Sequence, residues 1–351
     1  KKNVFKRTLE TVPEIDAGCY MLDEDRLTSF MKAISQMAVD EKNPLSIGHY
    51  ALDEKAEAWL DGNKFFQRHA VIVGSTGSGK SWTTAKLLEQ VAKLPSANAI
   101  LFDIHGEYEP LKSDGFQHVK IAGPNDDVKD GIFFLPYWLL TYEEMISMML
   151  DRSDNNAPNQ AMAFSNAVVE QKRKQLEGLG KIDVLANFTI DSPVPYKLID
   201  VLNSLKAKDI ERVPPEKPTR DGPLAKKLTR FIQRLEAKKN DKRLNFLFNE
   251  SDDVLKYDYI DNIAKTLLLS NNLQDKKGVK IINFSEVPSD ILPLMVSLVA
   301  RVIFSIQQWI PKEDRHPLAF FCDEAHLYLP EKTRSSVEEA GLENFERIAK
   351  E

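Results

Sequence analysis

The chain has 351 residues, of which 42% are hydrophobic and 28% charged, with a formal net charge of −6. This is the composition of a soluble globular protein with room for a large core and roughly two domains. The acidic balance excludes nucleic-acid binding driven by overall charge, which would need a local basic stripe. The two cysteines, Cys19 and Cys322, exclude a disulfide framework and a zinc pattern and fit a reducing, cytoplasmic compartment.

The first residue is Lys1, which reads as the edge of a longer chain, and no signal-peptide pattern follows it. Glu24 to Val39 has helical periodicity, and Leu45 to Leu60 reads as short extended pieces leading into a core. The apolar run Ala70 to Val73 predicts a strand, and Trp82 to Leu94 predicts a helix. Between them stands Gly74-Ser75-Thr76-Gly77-Ser78-Gly79-Lys80-Ser81, which fits G-x-x-x-x-G-K-[ST] at every fixed position. Glycines let such a loop curl so that its N–H groups point inward at phosphate oxygens, and the following helix adds partial positive charge there. Lys80 is placed to reach the β- and γ-phosphates, and the Ser81 hydroxyl to ligate Mg²⁺. The candidate nucleotide-binding residues are Gly74, Ser75, Thr76, Gly77, Ser78, Gly79, Lys80, Ser81 and Trp82.

A second strand is predicted at Asn98 to Asp103, running into Ile104-His105-Gly106-Glu107-Tyr108. Strand, loop, helix, strand predicts a parallel sheet covered by helices. Asp103 should reach the same sheet edge as the phosphate loop, where Asp103 and Glu107 are candidates to support metal or water, or else to cap a turn. Thr141 to Glu144 reads as a capping box that starts a helix. Helical stretches follow at Pro158 to Leu179, Val194 to Ala207 and Leu224 to Lys239, with a proline-rich break at Val213 to Pro218. Lys226, Arg230, Arg234 and Lys238 recur every four residues, which on a helix makes one basic face, either solvated or tracking phosphates without base specificity.

The core resumes with a strand at Val279 to Phe284 and the apolar run Ile291 to Ile310. Arg301, Gln307 and Gln308 inside that run argue for a buried core helix and against a membrane span. The strand Pro317 to Cys322 then delivers Asp323-Glu324-Ala325-His326 to the sheet edge. Asp323 is the candidate for the Mg²⁺ shell beside Ser81, and Glu324 the candidate general base that polarises an attacking water. His105 and His326 sit in motif positions and read as packing or turn residues, or as phosphate sensors.

Taken together, GSTGSGKS, DIHGEYEPL and FFCDEAHLYLP resemble the HerA-type ATPases of the HerA/FtsK superfamily, over roughly Leu45 to Glu351. The resemblance implies a three-layer α/β RecA-like P-loop core with a mostly helical insertion. It divides the chain into an N-terminal segment (1–60, a possible remnant of a β-barrel), a first core part (61–135), the insertion (136–275) and a second core part (276–351). It implies ATP and Mg²⁺ as cofactors, a homo-oligomeric ring of hexamer type, double-stranded DNA as the track, and a nuclease or NADase-type effector as partner, in DNA processing or antiphage defence. Lys80, Ser81, Asp323 and Glu324 match the family's nucleotide, metal and catalytic positions, and Asp103 the acidic residue of its DxHGEY motif. Arg68 and Arg347 match positions where the family tends to carry basic residues near the nucleotide or the subunit interface, from which an arginine in a ring can enter the neighbour's site; the alternative is an ordinary surface or helix arginine. A DEAH helicase of superfamily two is disfavoured, because the two motifs stand much further apart here than in those enzymes. A nucleotide-gated scaffold for an effector stays open, as does a secretion or conjugation ATPase of the same fold, which would usually sit at a membrane.

Overall fold

The computed structural model describes residues 14–350 except 22, 39–43, 52, 68, 95–96, 128–131, 214–219, 269–277 and 316. Helix α1 (Glu24–Ala38) packs on an antiparallel hairpin of β1 (Pro44–Tyr50) and β2 (Asp53–Asp61). The short α2 (Gly62–Phe66) follows, its N-terminus capped by the Asp61 carboxylate. The phosphate loop then leads into α3 (Lys80–Val91), and β3 (Ala99–Asp103), β4 (Phe116–Ile121) and β5 (Ile132–Phe133) complete the first half of the sheet.

A helical stretch comes next: α4 (Tyr142–Met149), α5 (Ala157–Gly178), α6 (Ile182–Asn187) and α7 (Leu198–Asp209). A two-residue ribbon, β6 (Arg212–Val213) with β7 (Arg220–Asp221), precedes α8 (Thr229–Lys239) and α9 (Tyr259–Leu268). The core resumes with β8 (Val279–Asn283), α10 (Leu292–Trp309), β9 (Ala319–Cys322) and α11 (Ser336–Lys350).

Five strands form one parallel sheet in the order β5-β4-β8-β3-β9. All five residues of β3 are buried, as expected when helices cover both faces of a parallel sheet. Alternate side chains serve two cores. Ala99 and Leu101 pack with Leu87, Leu88 and Val91 of α3. Ile100 and Phe102 join the larger core with α10 and the helical stretch. Phe102 stacks among Phe284, Phe320 and Phe345, which seats α11 on the sheet.

Helix α10 is long and apolar enough to cross a bilayer by length and composition, yet 61% of it is buried within the protein. Its charged residue explains the local design. Arg301 donates from Nε to Glu144 Oε1 and from Nη2 to Glu144 Oε2, each at 2.8 Å, and from Nη2 to the Leu139 carbonyl. Glu144 also closes the predicted capping box with Thr141 and accepts from Asn344 of α11 at 2.9 Å. Asn344 donates onward to Ser297 of α10 at 2.8 Å. One buried carboxylate thus ties together α4, α10 and α11.

Three expectations need correction, and two strands have no counterpart in the sequence pattern. Ala70 to Val73 is not paired into the sheet, and Val71 and Val73 are more than four-fifths exposed. A strand is held by its ladder, and a groove separates this segment from the outer edge of β9. Strands β4 and β5 escape the sequence pattern, because Gln117, His118 and Lys120 make β4 look polar. Helix α7 starts only at Leu198, since Pro195 disfavours a helical backbone at Val194. The basic face is also broken. Lys226 precedes α8, has φ +62° and pairs with Asp221 at 2.8 Å. Arg234 pairs with Asp151 and Lys239 with Glu250, each at 2.7 Å. The Val213 to Pro218 break falls almost wholly outside the described residues.

Candidate nucleotide site at the carboxyl edge of the sheet

The phosphate loop takes its shape from two left-handed glycines. Gly77 has φ +78°, and Gly79, the N-cap of α3, has φ +92°. A side chain at either position would be strained. Ser78 N–H donates to the Ser75 carbonyl at 3.1 Å and closes the turn. Lys80 lies over the loop, its Nζ donating to the Gly74 carbonyl at 3.1 Å and the Ser75 carbonyl at 3.4 Å. Ser81 and Trp82 occupy the first turn of α3, where backbone N–H groups have no helical acceptor, and Trp82 is exposed.

The opposite wall is the end of β9. The register sets Phe102 beside Cys322, so Asp103 and Asp323 follow side by side at the carboxyl edge. Ligands of open parallel sheets bind at this edge. A groove of about 1050 Å³ runs between Ala70–Ile72 and β9, and Lys80, Thr84, Asp323 and Glu324 all line it.

Asp103 is 1% exposed and spends both oxygens on the following turn. Oδ1 accepts from the N–H of Gly106 at 2.8 Å and of Glu107 at 3.1 Å, and Oδ2 accepts from Tyr108 N–H at 3.1 Å. Burial raises its carboxyl above the ordinary range in spite of these bonds. Asp103 therefore shapes the turn that carries Glu107 and Tyr108, the capping alternative of the sequence reading.

Asp323 is different. Its Oδ2 is buried without a hydrogen-bond partner. Burial raises its carboxyl, and the nearby Glu324 and Glu107 carboxylates add to the rise. The Tyr328 hydroxyl donates to the Asp323 backbone carbonyl at 3.1 Å and fixes the strand end. Glu324 adopts a left-handed backbone, φ +45° and ψ +40°, which turns the chain sharply out of β9. Its Oε2 lies 3.3 Å from His326 Nδ1. His105 and His326 are both exposed.

Ser81 and Asp323 supply hard oxygen donors, the type Mg²⁺ takes together with phosphate oxygens and water. The partnerless Asp323 Oδ2 is an acceptor such a cation or its hydration shell would satisfy, so the residues fit the ion. Among the described residues there is no cluster of three His, Cys, Asp or Glu that would hold a metal without such help.

Arg347 does not line this groove. Its guanidinium lies 5.9 Å from the centre of the Phe304 ring, beside a second cavity of about 350 Å³ shared with Arg301 and Asn344. Arg68 lies outside the described residues. Sequence reasoning missed Tyr108, Thr84 and Tyr328, whose relevance is tertiary. The available signal was Tyr108 itself, a residue with a polar tip ending a turn next to the sheet edge.

A family model described as the central domain of the helicase HerA matches residues 45–303. The chain belongs to this HerA family. HerA-type chains of this kind are P-loop ATPases, and the matched span contains the phosphate loop, β3 and β8. Over 67 residues the chain is 46% identical to a probable helicase of Methanocaldococcus jannaschii, covering 19% of this chain and 13% of that protein. Over 81 residues it is 36% identical to a probable DNA double-strand break repair helicase HerA of the same organism, covering 23% of this chain and 16% of that protein. The matched stretches thus span under a fifth of the length of these relatives. Among solved structures, VirB4 of Thermoanaerobacter pseudethanolicus superposes with a TM-score of 0.51 at 14% identity, covering 89% of this chain and 75% of that one. That likeness shows the α/β fold.

Proposed function

We propose that this chain is the ATPase core of a ring motor that hydrolyses ATP with Mg²⁺ and moves along double-stranded DNA, working with a nuclease or other effector. The observation that carries the reading is the meeting of Lys80 with Asp323 and Glu324 across one groove at the carboxyl edge of a parallel sheet. In this reading Lys80 exchanges its loop carbonyls for the β- and γ-phosphates. Ser81 and Asp323 hold Mg²⁺, which neutralises charge on the phosphate oxygens when bound. Glu324 takes the proton of the attacking water. Asp103 acts through the turn it caps. Arg68 and Arg347 serve a neighbouring subunit of a hexameric ring, where such a residue can be worth roughly 10³ to 10⁵ in rate. Residues 61–135 and 276–351 form the core, 136–275 the insertion and 1–60 an N-terminal segment.

A second reading is favoured by the ion pairs on the basic stripe. With Lys226 and Arg234 of that stripe and the adjacent Lys239 already paired to carboxylates, less of its charge is available to phosphates. The chain would then act as a nucleotide-gated scaffold that arranges a partner effector. ATPase rate with and without double-stranded DNA, across several salt concentrations, separates the two. Strong salt-sensitive stimulation supports the motor. A rate unmoved by DNA supports the scaffold, and no ATPase activity removes both.

A further inference from the structure

Tyr108 ends the turn capped by Asp103 and is 2% exposed. Its ring packs with Leu87 and Leu88 of α3 and Leu101 of β3. The hydroxyl reaches past this apolar surrounding to the Ser81 and Thr84 hydroxyls and the Asp323 carboxylate. These contacts act on the hydroxyl electrostatically, yet none has the geometry of a full hydrogen bond, and Asp323 Oδ2 beside it is likewise buried without one. If the ring served packing alone, phenylalanine would fill the site without burying a hydroxyl that lacks a partner. Here a donor and an acceptor with unmet capacity adjoin each other, next to the hydroxyl that begins α3.

We propose that Tyr108 is a positioning residue for the Mg²⁺–nucleotide site, its hydroxyl orienting the Asp323 carboxylate and the Ser81 hydroxyl toward the cation. The ligand class is a hydrated divalent cation carried by a nucleoside triphosphate. The inference rests on reading Ser81 and Asp323 as the Mg²⁺ residues. The Asp103 cap is what gives Tyr108 its reach. Three backbone bonds fix the turn, so the hydroxyl arrives between the helix and the strand end without loop freedom.

The test is equilibrium binding of a fluorescent ATP analogue to the wild-type chain and to Tyr108→Phe, in EDTA and across a Mg²⁺ titration. In EDTA the two should bind alike, because the phosphate loop is untouched. The Mg²⁺ concentration that gives half of the tightening should rise about tenfold in the variant, the size of one lost hydrogen bond to a charged group. A Mg²⁺ midpoint that stays within about twofold of wild type overturns the role of Tyr108 while leaving the site reading intact. Loss of binding in EDTA as well also overturns it, since the hydroxyl would then support the fold. A wild-type chain whose binding ignores Mg²⁺ overturns the metal reading of Ser81 and Asp323 together with this one.

Discussion

Arg301 grips Glu144 with two parallel hydrogen bonds of 2.8 Å, and Glu144 is only 2% exposed. The carboxylate is buried, and the guanidinium half-buried, between a helix of the core and the first helix of the helical stretch. Removing one partner strands the other's charge. Glu144→Ala and Arg301→Ala should each cost about 3–5 kcal/mol in urea denaturation. The apolar double variant Glu144→Leu/Arg301→Met should cost clearly less than the sum. Additive losses in that cycle would show that the two side chains are not coupled.

Lys80 and Glu324 should separate binding from chemistry. Lys80→Ala should abolish nucleotide binding or turnover. Glu324→Ala should keep ATP binding and lower turnover by roughly 10² to 10⁴, the usual worth of a general base. Equilibrium binding and steady-state ATPase rates on the same preparations check both. Near-normal turnover of Glu324→Ala would remove that residue from the mechanism.

Lys172 predicts a pH effect. It is 1% exposed, and its amine donates to the Ile190 and Ser192 carbonyls at 2.6 Å. Burial lowers its pKa from 10.5 to about 8. The folded chain therefore releases this proton at lower pH than the unfolded chain does. Between those values the unfolded state holds more protons, so the contribution of Lys172 to stability rises with pH. Below about 8 the buried charge is a standing penalty. Lys280, lowered by burial to about 8, acts the same way. In Lys172→Met the rise in stability from pH 8 to 9.5 should fall to less than half that of wild type, because the Cys322 thiol, pushed by burial up to about 11, keeps its proton in the folded chain and opposes what Lys280 alone contributes. Urea midpoints across that range measure it, and an unchanged slope would assign the effect elsewhere.

The paired stripe makes a further claim. Arg234 already spends its charge on Asp151 at 2.7 Å. Arg234→Gln should therefore leave the affinity for a DNA duplex within about twofold and the salt dependence unchanged. A salt slope reduced by about one would show that Arg234 contacts a phosphate.

Much of the core was legible because its signals are local. A glycine-rich loop before a helix, a capping box, and the apolar runs of β3, β8 and α10 each carry their own physics. The failures come from information that no window contains. Val71-Ile72-Val73 has the β-branched composition of a strand, but strand formation needs a partner edge, and β9 stands across a groove. Strand β4 is invisible because its place between β8 and β5 is set by neighbours far along the chain. Asp103 was found as an acid at the sheet edge, yet its task follows from where three backbone N–H groups turn. Tyr108 matters because Ser81 and Asp323 come from opposite ends of the sequence.

Glu324 has a consequence for how this protein would respond to selection. A glutamate held at φ +45° costs roughly 1–2 kcal/mol that glycine would not. A library screened for thermal stability alone should therefore enrich glycine or asparagine at position 324. With Glu324 as the proposed general base, heat resistance and turnover would be traded at a single codon, and only a screen that also demands hydrolysis would keep the glutamate.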